Sequence, residues 1–194
     1  MEKQNVENTR PSAEQLEREL ERLEHSQESL RTIKGALLSL LVFAAIAVLV
    51  STFLLPFRVK GSSMAPTLQQ GEILVFIKPG KINRGDIVVF HHEGHDLIKR
   101  VIACSGDLID IDQDGLVTVN GERLEEPYLS EQRFGKSNLE FPFEVPDSRL
   151  FVMGDNRAIS QDSRIAEFGT LTQEQINGKA IFRVWPFLKI GSVR

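Results

Sequence analysis

The sequence predicts a mainly β domain that follows one membrane-spanning helix. One uncharged apolar run, "GALLSLLVFAAIAVLVSTFLLPF", extends over 23 residues from Gly35 to Phe57. After it come short runs rich in Val, Ile and Phe, separated by Gly, Pro, Asn and Asp, which is typical of strands joined by turns. Because no long amphipathic helix interrupts these runs, an alternating strand–helix pattern is excluded.

The size and charge of the chain restrict its function class. Of 194 residues, about 135 remain after the apolar run and the tail before it, enough for one domain with a hydrophobic core. The net charge is −4, so the basic face of a nucleic-acid-binding protein is not expected. The one cysteine, Cys104, excludes an internal disulfide.

Residues 1–34 form a charged tail in which we predict a short amphipathic helix. Pro11, Ser12 and Gln15 fit a helix start with a capping box. Leucines then recur at alternating spacings of four and three, at Leu16, Leu20, Leu23 and Leu30. Such a narrow stripe allows weak self-association through a coiled coil, but a solvated helix is the interpretation that we favour.

The apolar run, residues 35–57, is long enough to cross about 30 Å of hydrocarbon as a helix. It is too long and too far from Met1 for a cleaved signal peptide, so we expect a retained anchor. Basic residues flank both ends, and local charge therefore does not set the orientation. We expect a cytoplasmic N-terminus and an extracytoplasmic domain, the common arrangement for a short tail and a large domain.

Residues 58–194 are predicted to form the β-rich domain. Six runs are expected to be strands: "EILVFIK", "GDIVVFHH", "DLIKRVIA", "DLIDI", "LVTVN" and "RLFVMG". The segment "TLTQEQINGKA" is expected to form one or two helical turns. The segment "EEPYLSEQRFGKSNLEFPFEVP" reads as a polar excursion between strands.

Two segments resemble metal sites but are better explained as turns. "DIDQDGLVTVNGE" begins like a calcium loop at Asp110, but its twelfth position is Gly121 where a bidentate Glu is needed, so "DQDG" is predicted to be a hairpin turn. In "HHEGHD" the His91 and His95 spacing would suit zinc on a helix. Gly94 and the neighbouring strands argue against a helix, and an exposed loop is expected.

Lys99 and a polar segment near residue 160 are candidates for chemistry. An alternating strand places Leu97, Lys99 and Val101 on one face. A lysine on an apolar face either extends to solvent or loses its proton. The segment "MGDNRAISQDSR" follows an apolar strand, and its many donors and acceptors fit either a solvated loop or an ordered site.

Four segments in this order, "SMAPTL", "RGDIVVF", "KRVIACSGD" and "GDNRAISQDSR", resemble the type I signal peptidases, which are membrane-anchored Ser/Lys proteases. The resemblance covers about Gly61 to Arg164 and includes the preceding anchor. It implies an all-β fold of antiparallel sheets with a shallow groove, a bacterial cell membrane location, and cleavage of preprotein signal peptides after an Ala-x-Ala-like site. It implies no metal and no cofactor.

The resemblance also implies roles for individual residues. Ser63 matches the nucleophile, Lys99 the general base, and Ser160 the hydroxyl that orients the lysine. The charged groups that brace the site match Asp155, Arg100, Asp162 and Arg164. The positions that line the substrate pockets match Met64, Leu68, Leu97 and Ile98.

Physical chemistry is consistent with that assignment. A serine hydroxyl needs a neighbouring base to become a good nucleophile, and Ser/Lys pairs are one known solution. A lysine with a pKa of about 10.4 is almost entirely protonated near neutral pH. Burial therefore has to lower the pKa of Lys99 by several units, and the apolar strand around it could do so.

Three departures and two alternatives accompany the resemblance. Some relatives carry a serine where this chain has Gly61, so a second oxyanion donor has to come from elsewhere. The common Gly-x-Pro-Gly-Asp reads Ala-Cys-Ser-Gly-Asp at residues 103–107, and the chain has one anchor where some relatives have two.

The alternatives are a catalytically silent membrane scaffold and a self-cleaving Ser/Lys protease like the SOS-response repressors. The presence of both Ser63 and Lys99 argues against the silent scaffold. The membrane anchor and the segment "GDNRAISQDSR" argue against the self-cleaving protease, because those repressors lack both.

Overall fold

The computed structural model describes residues 13–193, and it begins with one long helix, α1 (Ala13–Phe53). At 1.5 Å per residue its 41 residues extend over about 60 Å, which is longer than the hydrocarbon core of a bilayer. The predicted capping box at Ser12 lies outside the described residues. Self-association through the leucine stripe stays a prediction.

The segment Arg31–Val48 is long and apolar enough to cross a membrane, with a mean hydropathy of 1.8 over 18 residues and no burial against protein. The helix was expected to continue to Phe57, and that expectation is wrong, because it ends at Phe53. Leu54–Arg58 form strand β1 instead. Pro56 explains the change, since proline lacks an N–H and disfavours helix at the preceding residue. A proline is tolerated in β1 because this strand lies at the edge of its sheet.

The rest of the chain forms two antiparallel sheets. The remaining strands, in chain order, are β2 (Ile73–Ile77), β3 (Ile87–His92), β4 (His95–Cys104), β5 (Leu108–Ile111), β6 (Val117–Val119), β7 (Glu122–Arg123), β8 (Phe143–Glu144), β9 (Arg149–Met153), β10 (Leu171–Thr172), β11 (Ile176–Trp185) and β12 (Gly191–Ser192). The larger sheet has the order β1-β2-β11-β3-β4-β9-β10, with β12 on β11. The smaller sheet has the order β7-β6-β5-β8. The predicted mainly β, antiparallel fold class is confirmed.

All six runs predicted as strands are strands, but the ten-residue strand β11 was missed, as were the two-residue strands β7, β8, β10 and β12. The segment "TLTQEQINGKA" contains one short 3-10 helix, Gln173–Gln175, and then becomes strand at Ile176, so its prediction as helical turns is largely wrong. Asn177 and Gly178 weaken the local strand signal. Pairing with β2 on one side and β3 on the other overrides it. At Gly178 an added Cβ would lie 2.9 Å from Cβ of Phe76, so glycine allows this close packing.

The two turns that resembled metal sites are both hairpins. At Asp112 the carboxylate Oδ1 accepts the N–H groups of Asp114 (3.0 Å) and Leu116 (2.8 Å), which confirms the hairpin turn predicted between β5 and β6. The expected loop around the histidines is instead a two-residue turn between β3 and β4. Its residues Glu93 and Gly94 have φ of 49° and 81°, as a tight hairpin requires.

One of the hydrophobic clusters lies beneath the turn that carries Ser63. It contains ten buried residues: Val59, Met64, Leu68, Leu74, Phe76, Ile87, Val89, Ile98, Ala180 and Val193. Eight of these residues come from the turn and from strands β2, β3, β4 and β11, whereas Val59 follows β1 and Val193 follows β12. The turn is therefore anchored on the larger sheet. A second cluster joins the two sheets through residues such as Ile109 and Phe151.

Candidate active site

Ser63 lies in a turn between β1 and β2, which we call the serine turn (residues 60–71). The turn is closed at its base, where the Val59 N–H donates to the Glu72 carbonyl (2.8 Å). Within it the Leu68 N–H donates to the Met64 carbonyl (2.8 Å). Ser63 itself is half-buried, and its carbonyl accepts the N–H of Asn156 at 2.9 Å. This contact ties the serine to the polar segment after β9.

Lys99 lies in the middle of β4 and is 3% exposed. Its Nζ donates a hydrogen bond to Ser160 Oγ at 3.0 Å. Burial lowers the pKa of Lys99 from 10.5 to about 8, against the opposing effect of the Asp162 carboxylate and with help from the Arg164 guanidinium. Lys99 therefore becomes a neutral amine at a much lower pH than an exposed lysine.

One cavity of about 560 Å³ brings Ser63 and Lys99 together, although 35 residues separate them in sequence. Its other lining residues form a polar part and an apolar part. The polar part is made by Lys60, Gly61, Ser62, His92, Glu93, His95, Gln161 and Glu167. The apolar part is made by Leu97, Ile159, Ile165 and Phe168. A serine hydroxyl and a buried amine that line one cleft can both reach a substrate bound in it.

A buried ion pair lies directly behind Lys99 on the same strand. Arg100 donates from Nε and Nη2 to the two carboxylate oxygens of Asp155, at 2.9 and 2.7 Å. Its Nη1 donates to the Gly85 carbonyl at 3.0 Å, and its guanidinium lies 3.8 Å from the ring centre of Tyr128. This bidentate geometry fixes β4 against the segment that follows β9.

A second buried pair shapes the segment that carries Ser160. Arg164 donates from Nε and Nη2 to the carboxylate of Asp162, each at 2.8 Å. The same carboxylate accepts the N–H of Gly154 at 3.0 Å, and Arg164 Nη1 donates to the Arg157 carbonyl at 3.0 Å. Both side chains are fully buried, so the loop between Gly154 and Arg164 is held in one conformation.

The structure adds two features that sequence reasoning missed. At Gly154 an added Cβ would clash with Ser160 Oγ and with the carbonyl of Ser63, so glycine lets the two serines approach one another. Glu126 is buried and forms an ion pair with Arg157. The first could have been noticed because Gly154 begins "GDNR". The second could not, since Glu126 lies in the polar excursion without any local signal.

The predicted substrate-binding residues divide into two groups. Leu97 lines the cavity. The other three, Met64, Leu68 and Ile98, are buried in the cluster beneath the serine turn. They are not among the residues that line the cavity. Their contact with substrate stays a prediction. Ile159, Ile165 and Phe168 also line the cavity but were not predicted, because single apolar residues in a largely polar segment give no local signal.

Comparison with known proteins identifies the family. Residues 31–185 match the family described as signal peptidase, peptidase S26. The chain belongs to this family. Its matched range includes the candidate membrane span, the serine turn and the segment around Ser160, so the signal peptidase assignment rests on the region that contains the cavity.

Signal peptidases of two bacteria agree with the family assignment at the level of sequence. Signal peptidase IB of Staphylococcus aureus (strain COL) is 37% identical over 177 residues, with 78% of this chain and 88% of that protein covered. Signal peptidase I of Streptococcus pneumoniae serotype 4 is 35% identical, with 80% and 94% covered. A crystal structure of a signal peptidase I from Enterococcus faecalis V583 is 28% identical and covers 52% of this chain and 97% of that chain, with a TM-score of 0.45.

Replacing Gly154 by Ala is expected to lower activity by about 10- to 100-fold, because the added methyl group would displace Ser63 from the cavity wall or Ser160 from Lys99. The measurement is kcat on a preprotein substrate. Gly80→Ala is the control, since a Cβ at Gly80 meets no atom within 4 Å and its φ is not positive. Equal activity of the two variants would contradict the proposed crowding at Gly154.

Replacing Lys99 by Met is expected to stabilise the protein by about 1–2 kcal/mol at pH 7. The pKa depression from 10.5 to about 8 corresponds to about 3 kcal/mol of destabilisation, offset by about 1 kcal/mol from the lost hydrogen bond to Ser160. The destabilisation is complete below pH 8 and disappears as pH rises from 8 to 10.5, because the unfolded lysine then loses its proton too.

Denaturant unfolding in detergent, followed by the fluorescence of Trp185, would measure this difference at pH 7 and pH 10.5. Lys78→Met is the control, because Lys78 is exposed, and no change is expected. A Lys99→Met variant that is less stable than wild type at pH 7 would show that Lys99 is not held in a destabilised state.

Proposed function

We propose that this chain is a serine endopeptidase that removes signal peptides from exported preproteins, with Ser63 as nucleophile and neutral Lys99 as general base. The observation that carries the proposal is the burial of Lys99, with its pKa lowered to about 8, in the wall of the cavity that Ser63 also lines. Membership of the signal peptidase family supports the substrate class. The named relatives are signal peptidases as well.

The reaction proceeds through an acyl-enzyme. Lys99 Nζ accepts the proton of Ser63 Oγ as that oxygen bonds to the scissile carbonyl carbon. The carbon–nitrogen bond then breaks, and the Lys99 ammonium gives its proton to the leaving amine. Next, Lys99 accepts a proton from water as the water oxygen attacks the ester. The proton returns to Ser63 Oγ, which leaves the enzyme as it began. Ser160 Oγ accepts a hydrogen bond from Nζ and keeps the amine directed into the cavity.

The negative charge on the substrate carbonyl oxygen needs donors near Ser63. The Ser63 N–H has no hydrogen-bond partner within residues 13–193, so it is available to the oxyanion. A serine hydroxyl cannot come from Gly61, as it would in some relatives. The second donor is therefore another group on the cavity wall, which the exposed Ser62 beside Ser63 could supply.

The substrate would bind as an added strand beside β4. Residues 95–99 pair with β3 on one side, whereas pairing with β9 begins at Arg100. Within the described part of the chain, the other edge of residues 95–99 is therefore unpaired next to Lys99. An extended peptide on this edge can form main-chain hydrogen bonds while small side chains enter the cavity, as an Ala-x-Ala-like site requires.

The membrane anchor would hold this site near the substrates as they cross the membrane. We propose that α1 spans the bilayer once with its N-terminus in the cytoplasm and the β domain on the extracytoplasmic side. The β domain also exposes apolar side chains at the end of β11 and just beyond it: Phe182, Trp185, Phe187, Leu188 and Ile190. A patch of this kind is typical of a surface that contacts lipid.

Cleavage by the detergent-solubilised full chain tests the proposal. Wild type is expected to cut a preprotein once, after the second Ala of an Ala-x-Ala site. Ser63→Ala and Lys99→Ala should each lower the rate by at least about 10³-fold, because nucleophile and base act as a unit. Ser130→Ala and Lys78→Ala remove the same groups from exposed positions and should retain wild-type rates.

Two results would contradict this mechanism. Cleavage by Lys99→Ala at a rate close to wild type would exclude Lys99 as the base. Inactive wild type on several such preproteins, with the fold intact by circular dichroism, would favour the silent-scaffold alternative.

A further inference from the structure

A buried carboxylate closes the far end of the serine turn. Glu72 is 4% exposed, and neither of its carboxylate oxygens has a hydrogen-bond partner within residues 13–193. Its charge is met by two cations that come from a distant part of the chain. Arg183 Nε lies 3.1 Å from Oε2, and Lys189 Nζ lies 3.7 Å from Oε1. A carboxylate buried in this way lowers stability compared with an apolar side chain, so packing alone does not explain it.

The same two cations also contact the serine turn itself. Arg183 Nη2 donates to the Thr67 carbonyl at 2.7 Å, and Lys189 Nζ donates to Gln69 Oε1 at 3.3 Å. Arg183 therefore joins Glu72 at the base of the turn to Thr67 within it. Register shifts in the β2–β11 pairing lie on both sides of Arg183, and such bulges redirect side chains out of the regular strand pattern.

The turn can transmit this restraint to Ser63. Thr67 is four residues after Ser63, and Met64 and Leu68, the residues between and beside them, are buried in the core and joined by a hydrogen bond of 2.8 Å. At the other end, the Asn156 N–H holds the Ser63 carbonyl. A displacement of the Thr67 backbone therefore moves Ser63 against a fixed partner, because the packed turn between them does not deform easily.

We propose that Glu72 and Arg183 are positioning residues for Ser63. The Arg183 guanidinium holds the Thr67 carbonyl, and Glu72 holds the guanidinium in place, so that the serine turn presents Ser63 Oγ toward Lys99. The inference rests on the proposed role of Ser63 as nucleophile. Neither Glu72 nor Arg183 is among the cavity-lining residues, and so neither acts on the substrate directly.

The test is a double variant, Glu72→Leu with Arg183→Met, in the detergent-solubilised full chain. Removing both charges together leaves no buried ion without a partner, so the fold is expected to persist. A misplaced nucleophile should lower kcat on the Ala-x-Ala preprotein by about 10- to 100-fold and change KM by less than about twofold. Arg183→Lys is the second variant. It keeps a charge beside Glu72 but lacks the guanidinium fork, and a fall of at least about threefold in kcat is expected.

The matched control is Asp86→Asn with Lys179→Met. It removes a partly buried ion pair of 2.8 Å between Lys179, which lies in β11 four residues before Arg183, and Asp86, which precedes β3. Its kcat should equal that of wild type. Wild-type kcat in both Arg183 variants overturns the positioning role. An equal loss in the control overturns it too, since the effect would then follow general destabilisation. An inactive wild type instead overturns the proposed function, and the role in positioning Ser63 falls with it.

Discussion

A lysine that is to act as a base near neutral pH has to be removed from water, and the rest of this domain depends on that constraint. Lys99 meets it in the middle of β4, where neighbouring strands and the segment after β9 bury it. Burial lowers its pKa to about 8, while the Asp162 carboxylate limits the shift. The amine can therefore lose its proton near neutral pH while it remains in the wall of the cavity. Its hydrogen bond to Ser160 Oγ holds it in that position.

A buried amine keeps a lowered pKa only if the carboxylates near it cannot move close enough to pair with it. Two fully satisfied ion pairs, Arg100 with Asp155 and Asp162 with Arg164, surround Lys99 and are buried. Because each carboxylate is already held by a guanidinium fork, neither is free to form a close pair with the lysine. The Arg100–Asp155 pair joins β4 to the loop that carries Ser160, and the Asn156 N–H in that loop holds the Ser63 carbonyl. The burial of Lys99, the buried ion pairs and the position of Ser63 are thus linked in one network.

The sequence predicts the parts of this network that have a local signal. The short Val- and Ile-rich runs predict six strands. The apolar neighbours of Lys99 allow either burial or extension to solvent, and only the resemblance to signal peptidases favours burial. The other parts depend on contacts between distant segments. β11 is a strand because β2 and β3 pair with both its edges, although Asn177 and Gly178 weaken its own preference. Glu126 and Arg183 come from segments that lack any motif, so their ion pairs appear only once the chain has folded.

The most direct test of this account is the titration of Lys99 itself in the full chain. Lysine labelled with ¹³C at Cε would be followed by NMR from pH 6 to 12 in detergent, with Lys99→Met used to assign the signal. Lys99 is expected to titrate near pH 8, well below the ordinary lysine value of 10.5, and its signal should disappear in the variant. A Lys99 signal that titrates near 10.5 would contradict this expectation, because the amine would then be almost fully charged at neutral pH.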